Sequence, residues 1–214
     1  MTKQTVVYTY EELSEHAQAK ALLCFAENFC FDHEEECILE DIVERNPHIE
    51  NMDISYSGFW SQGDGASFTG TLNSAWALEH LVDHYEDGDD KTVLAQTMLS
   101  GVKYSNVVSA VMFLEYLEVE FQRNSSHYVH ENTCSTELVS ADWSSHVLEN
   151  EELYNAFDPL LSKFVEVIEE YRRNLCHAIY DRLDNAYAES TSEENIIEYF
   201  NENGFLFEES GDAY

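Results

Sequence analysis

Met52-Asp53-Ile54-Ser55-Tyr56 alternates apolar and polar side chains, Gly58-Phe59-Trp60-Ser61-Gln62-Gly63-Asp64-Gly65 interrupts the alternation, and Ala66-Ser67-Phe68-Thr69-Gly70-Thr71-Leu72 returns. A period of two is that of a strand with one face buried. Glycines at 58, 63 and 65 supply the freedom a turn needs. The stretch therefore reads as an antiparallel hairpin with an elaborated loop. Helical patterns flank it on both sides, so the hairpin decides the fold class. We expect an α+β protein, with an antiparallel sheet of two hairpins packed with helices and a long C-terminal helix.

Upstream, Thr9-Tyr10-Glu11-Glu12 fits a capping box opening a helix on which Leu13, Ala17, Ala21, Cys24 and Phe25 recur at helical spacing. A second helix is expected from Asp32 to Arg45, with Ile38, Leu39, Ile42 and Val43 facing inward and Asn46-Pro47 ending it. Downstream, Trp76 to Tyr85 and Lys91 to Gly101 read as helices around the acidic turn Glu86-Asp87-Gly88-Asp89-Asp90. Asn106 to Leu117 reads as a helix that gives way to a strand through Arg123. Tyr128 to His130 and Glu137 to Ser140 read as a second hairpin. Leu153, Phe157, Leu160, Phe164, Ile168, Tyr171, Leu175, Ile179 and Leu183 keep the rhythm of one long helix, with Pro159 near its start, where proline costs little. Thr191-Ser192-Glu193-Glu194 is a second capping box, and Asn203-Gly204 a left-handed stop for the short helix behind it. There is no internal repeat, and residues 1–214 are taken as a single acidic α+β domain.

Charge is the outlier in the composition. The chain has 43 Asp and Glu against 10 Lys and Arg, a formal net charge of −33. Such a charge destabilises the compact state by self-repulsion, and solubility needs only about 2–8 in magnitude. A basic partner is the sharper explanation; a generally solvated acidic surface is the blander one. Aromatic residues at 13% exclude a disordered acidic tail. Size scaling gives a folded surface of roughly 10,000 Å², about one net charge per 300 Å², against about one per 100 Å² on duplex DNA. Only concentrated acids could resemble nucleic acid.

The acids are concentrated along the chain. Asp32, Glu36, Glu40 and Glu44 recur every four residues, which makes one helical stripe with steps of about 6 Å, similar to the spacing of phosphates. Each like-charge pair costs roughly 0.2–0.5 kcal/mol. No Lys or Arg occurs between Arg45 and Lys91, between Arg123 and Lys163, or after Arg182, whereas Glu169 and Arg173 are spaced to pair. The stripe and Glu86, Asp87, Asp89 and Asp90 are the candidate partner-binding residues.

Chemistry-bearing groups are sparser. His127, His130 and Glu131 lie close in sequence, but on a strand the two histidines would face opposite ways, and a metal would need a third ligand such as Asp64 or a cysteine. Structural histidines are the plainer reading. Cys24, Cys30 and Cys37 read as small buried hydrophobes on helices, and the odd count of five cysteines without a CxxC pair reads as reduced thiols of a cytoplasmic protein. The opening MTKQTVVYTYEE lacks the apolar segment of a signal peptide, and no run approaches membrane-spanning length. Ser61, Asp64 and a histidine lack the setting of a nucleophile elbow, and the glycine-rich loop lacks the lysine of a P-loop. No catalytic residue, cofactor or metal is expected. Phe59 and Trp60 beside glycines mark a packed turn; an exposed Trp60 would instead mark an interface anchor.

Ile54 to Gly70, around Gly58-Phe59-Trp60-Ser61-Gln62-Gly63-Asp64-Gly65-Ala66, resembles the signature of a family of phage and plasmid proteins labelled antitoxin-like. Three further stretches are similar in the same order: Tyr8 to Lys20, Tyr128-Val129-His130-Glu131-Asn132-Thr133, and Ile196 to Glu208. His16 and Gln18 depart from the lysine-rich family pattern, and the acid count exceeds it. The resemblance singles out Phe59, Trp60, Gln62 and Asp64 and implies a mobile-element origin, without assigning catalytic residues. The expected partner is a basic nucleic-acid-binding host protein, such as a restriction or CRISPR nuclease complex, with no direct binding of nucleic acid or membrane. The alternatives are an antitoxin-like module neutralising a basic toxin, and a metal-dependent enzyme using Trp60, Asp64, His127 and His130.

Overall fold

The computed structural model of the chain describes residues 6–73, 118–125, 128–139 and 151–214. Among them are helices α1 (Glu15–Glu27), α2 (Asp32–Arg45), α3 (Glu151–Ser190) and α4 (Glu193–Glu202). Four strands, β1 (Ile49–Tyr56), β2 (Ala66–Asn73), β3 (Glu118–Arg123) and β4 (Cys134–Val139), form one antiparallel sheet in the order β1-β2-β3-β4. The fold is α+β. The helices expected between residues 76 and 117 lie outside the described residues. Backbone contacts divide the chain into two compact units, Met1–Leu39 with Asp181–Tyr214, and Glu40–Tyr180. Both α2 and α3 run through a boundary between them.

The first unit is held by aromatic packing. Tyr10, Leu13, Ala17, Ala21, Ile196, Phe200 and Phe207 are buried together, with Phe200 and Phe207 ring centroids 5.0 Å apart. Tyr8 and Phe207 exchange backbone hydrogen bonds of 2.9 Å, joining the two ends of the chain. Here the expected capping box caps only a short 3₁₀ turn, Tyr10–Glu12, in which the Glu12 carboxylate accepts from the Thr9 amide at 2.9 Å. α1 starts later, at Glu15, because Ser14 Oγ accepts from the Ala17 amide. Likewise Ser192, not Thr191, caps α4; the Thr191 hydroxyl donates back to the Tyr187 carbonyl. Gly204 supplies the expected left-handed stop at φ 63°. Cys24, Cys30 and Cys37 are exposed, contrary to expectation: Ala17 and Ala21 carry the buried face of α1, and Cys30 falls between helices. Within α2, Ile38 and Ile42 face inward but Val43 is exposed.

In the second unit the expected β1–β2 hairpin forms, with Ile54 opposite Phe68. The second hairpin differs from expectation. β4 pairs with β3 across its whole length, and Tyr128 to Thr133 is the loop between them. Phe121 and Val119 fill the buried sheet face with Phe68 and Leu72, whereas Tyr128 is exposed. Phe164, Val167, Ile168, Cys176 and Ile179 form the buried stripe of α3 in this unit. α3 begins at Glu151, so Pro159 sits more than two turns inside it and removes a helical hydrogen bond there.

A bulge in β1 fixes one glycine. Asn51 has φ 53°, and the register shifts between Glu50 and Asp53. Gly70 on β2 has φ 148°, and a Cβ there would lie 2.7 Å from Ile49 Cγ2 and 2.9 Å from the Glu50 carbonyl oxygen. Gly70→Ala is therefore expected to destabilise the protein by about 1–3 kcal/mol, read by chemical denaturation; a change within 0.5 kcal/mol would show that the bulge yields freely.

Candidate protein-interaction site

α2 carries seven acidic residues among fourteen, with Arg45 as its one Lys or Arg. Asp32, Glu36, Glu40 and Glu44 are all exposed, as the spacing predicts for one stripe. Among the described residues, the ion pairs of Lys20, Arg45, Arg123 and Arg172 go to Asp212, Asp41, Asp53 and Glu169, and none goes to the stripe. The expected second patch, Glu86, Asp87, Asp89 and Asp90, lies outside the described residues.

Strand register creates an acidic row that the linear sequence conceals. Glu50 on β1 stands opposite Thr71 on β2, Thr71 opposite Glu120 on β3, and Glu120 opposite Glu137 on β4. Three carboxylates far apart in sequence thus share one line across the sheet. Glu120 and Glu137 are direct cross-strand neighbours, an arrangement that disfavours folding. Glu50 and Glu137 are exposed. Only the pairing register could have disclosed this row, and the misplaced second hairpin hid it.

The β1–β2 loop is built around Asp64. Its Oδ2 accepts from the Trp60 amide at 2.9 Å and the Ser61 amide at 2.6 Å, and its own amide donates to the Ser61 carbonyl. Phe59 stacks on Tyr56 at 5.4 Å and sits 6.0 Å from the ring of Tyr180 on α3. Trp60 is 76% exposed, so the expectation of a packed turn holds for Phe59 and fails for Trp60. Gln62 is exposed too.

Beneath this end of the sheet lies a polar knot. The Arg172 guanidinium, buried, donates through Nε and Nη2 to Glu169 Oε2 at 3.1 and 2.6 Å and through Nη1 to the Glu131 carbonyl. Glu169 Oε1 accepts from the Thr136 amide of β4. Glu169 thus pairs with Arg172, three residues on, because Arg172 faces inward while Arg173 is exposed. Burial raises the carboxyl pKa, but hydrogen bonds from Arg172 and Thr136 outweigh it and hold Glu169 below the usual glutamate value. Beside the knot, a hydrogen bond from Cys176 and the nearby guanidinium pull the Cys134 thiol down against the effect of burial, while Cys176 is pushed up by its bond to Cys134 and by burial. His130 caps the 3₁₀ turn Glu131–Thr133, its Nδ1 accepting from the Asn132 amide. Among the described residues no three His, Cys, Asp or Glu side chains are placed to hold a metal ion. His127 lies outside them.

These features define an acidic α+β protein with two lines of carboxylates and a projecting tryptophan. The chain belongs to the family described as a domain of unknown function, DUF8835, whose model matches residues 25–193. No curated protein and no solved structure matches it. Among the described residues no helix is long and apolar enough to cross a membrane.

Arg172→Ala is expected to cost about 3 kcal/mol in chemical denaturation, because it leaves the part-buried Glu169 carboxylate without its cation and the Glu131 carbonyl without its donor. Glu169 has a lowered folded pKa, so its contribution is complete above the ordinary value of 4.5 and disappears as pH falls through the folded value. The stability gap between wild type and Glu169→Gln should therefore be present at pH 7 and narrow progressively as pH falls below 4.5; a pH-independent gap would contradict the pairing.

Proposed function

We propose that this protein is an acidic decoy that occupies the nucleic-acid-binding surface of a basic host protein. In this reading it acts in the cytoplasm, is encoded by a phage or other mobile element, and disarms a defence nuclease complex of the restriction or CRISPR kind. The supporting observation is the α2 stripe: four exposed carboxylates in steps of about 6 Å, none ion-paired among the described residues. The row Glu50, Glu120 and Glu137 adds a second line of charge on the sheet. Both arrangements work against folding, by roughly 0.2–0.5 kcal/mol for each helical pair and up to about 1 kcal/mol for the cross-strand pair. A surface selected only for solubility would intersperse lysines. A surface selected to meet cations would not.

The competition experiment is direct. Nucleic-acid-binding proteins captured on the immobilised protein from host lysate should be displaced by duplex DNA or RNA and by raising salt from about 50 to 200 mM. Binding indifferent to both would refute the decoy. A combined Glu36→Gln, Glu40→Gln, Glu137→Gln variant should be more stable than wild type by about 1–2 kcal/mol at low salt, yet bind the captured protein at least about tenfold more weakly. Unchanged binding would place the contact elsewhere.

A further inference from the structure

The loops β1–β2 and β3–β4 meet at one end of the sheet. Ser57 Oγ accepts from the Gly65 amide and donates to the Val129 carbonyl, tying the first loop to the second. Gly65 lies so close to the second loop that a Cβ would come within 2.7 Å of His130 Cβ and 2.9 Å of its Cα. Each loop raises an aromatic ring from this junction: Trp60, 76% exposed, and Tyr128, 67% exposed. Trp60 stands on a pre-organised base, with Asp64 fixing its amide, Phe59 packed between Tyr56 and Tyr180, and the Tyr180 hydroxyl donating to the Gly58 carbonyl at 3.3 Å. Little conformational freedom remains to be lost when such a loop binds.

Resting on the reading of a basic partner, we propose that Trp60 and Tyr128 form an aromatic platform that receives arginine side chains of that partner. Charge selects the occupant. Residues 57–65 and 124–133 contain no Lys or Arg and bring Asp64 and Glu131 to the junction. A guanidinium laid over an indole face gains from the ring quadrupole and from the nearby carboxylates together. Nucleotide bases also stack on exposed aromatics, but the phosphates they bring would meet a chain of net charge −33. Arginine is favoured over lysine because its planar, weakly hydrated group stacks.

The test is calorimetric titration of the intact protein with hexa-arginine, hexa-lysine and a single-stranded oligothymidylate at low salt. Wild type should bind hexa-arginine more tightly than hexa-lysine and leave the oligonucleotide unbound. Trp60→Ala should weaken hexa-arginine binding by about 2- to 30-fold and erase the preference over lysine, Tyr128→Ala should act in the same direction, and Trp60→Phe should fall between. Far-ultraviolet circular dichroism should be unchanged in all three. Equal peptide binding by wild type and Trp60→Ala would overturn the platform while leaving the acidic-partner reading intact. Binding of neither peptide by wild type would overturn both. Oligothymidylate binding that depends on Trp60 would overturn the platform in favour of base stacking.

Discussion

The guanidinium of Arg172 is the interaction on which the second unit depends. It is buried, and its hydrogen bonds reach Glu169 on its own helix and the Glu131 carbonyl in the β3–β4 loop. Through Glu169 it also holds the outward amide of Thr136 on β4. One cation thereby ties α3 to a strand and to the loop that carries Tyr128. In a chain with ten Lys and Arg against 43 carboxylates, committing one of them to the interior makes the surface still more negative. Cohesion and outward charge are thus coupled at this residue: the cation that ties α3 to the sheet is withdrawn from the surface it would otherwise help neutralise.

Other cations pair at the surface. Lys20 closes on Asp212 near the C-terminus, and Arg45 on Asp41 at the end of α2. The α2 stripe and the cross-strand row are left without cations among the described residues. Local physics disfavours both arrangements, so the packed faces behind them must supply the stability. On α2 that is Ile38 and Ile42; on the sheet it is Phe68, Leu72, Val119 and Phe121. In the β1–β2 loop one carboxylate, Asp64, is used internally and fixes the backbone beneath an exposed indole.

How much of this was legible in the sequence follows from the range of each interaction. α2 and the β1–β2 hairpin were readable because local spacing and turn glycines specify them. Helix starts were misread by a few residues because Thr9 and Thr191 look like caps, and only three-dimensional hydrogen bonding shows that Ser14 and Ser192 do the capping. Pairing of β4 with β3 was missed because Tyr128-Val129-His130 has strand-like character, while the competing segment Glu118–Arg123 wins by burying Phe121 and Val119. The partner of Glu169 was misassigned by one residue, since i+3 and i+4 spacings are nearly equivalent on a helix and burial decides between them. Of the candidate site, the α2 stripe and the loop residues were visible. The Glu50–Glu120–Glu137 row and the outward tryptophan were not, because one needs sheet register and the other needs burial.

The central claim is that these carboxylates meet a cationic surface. Its most direct test is the ionic-strength dependence of the association rate with a captured nucleic-acid-binding partner, followed by stopped-flow between about 20 and 200 mM salt. The account predicts that the association rate constant falls by about tenfold or more over that range while dissociation changes far less, as electrostatic steering requires. An association rate that does not respond to salt would contradict it.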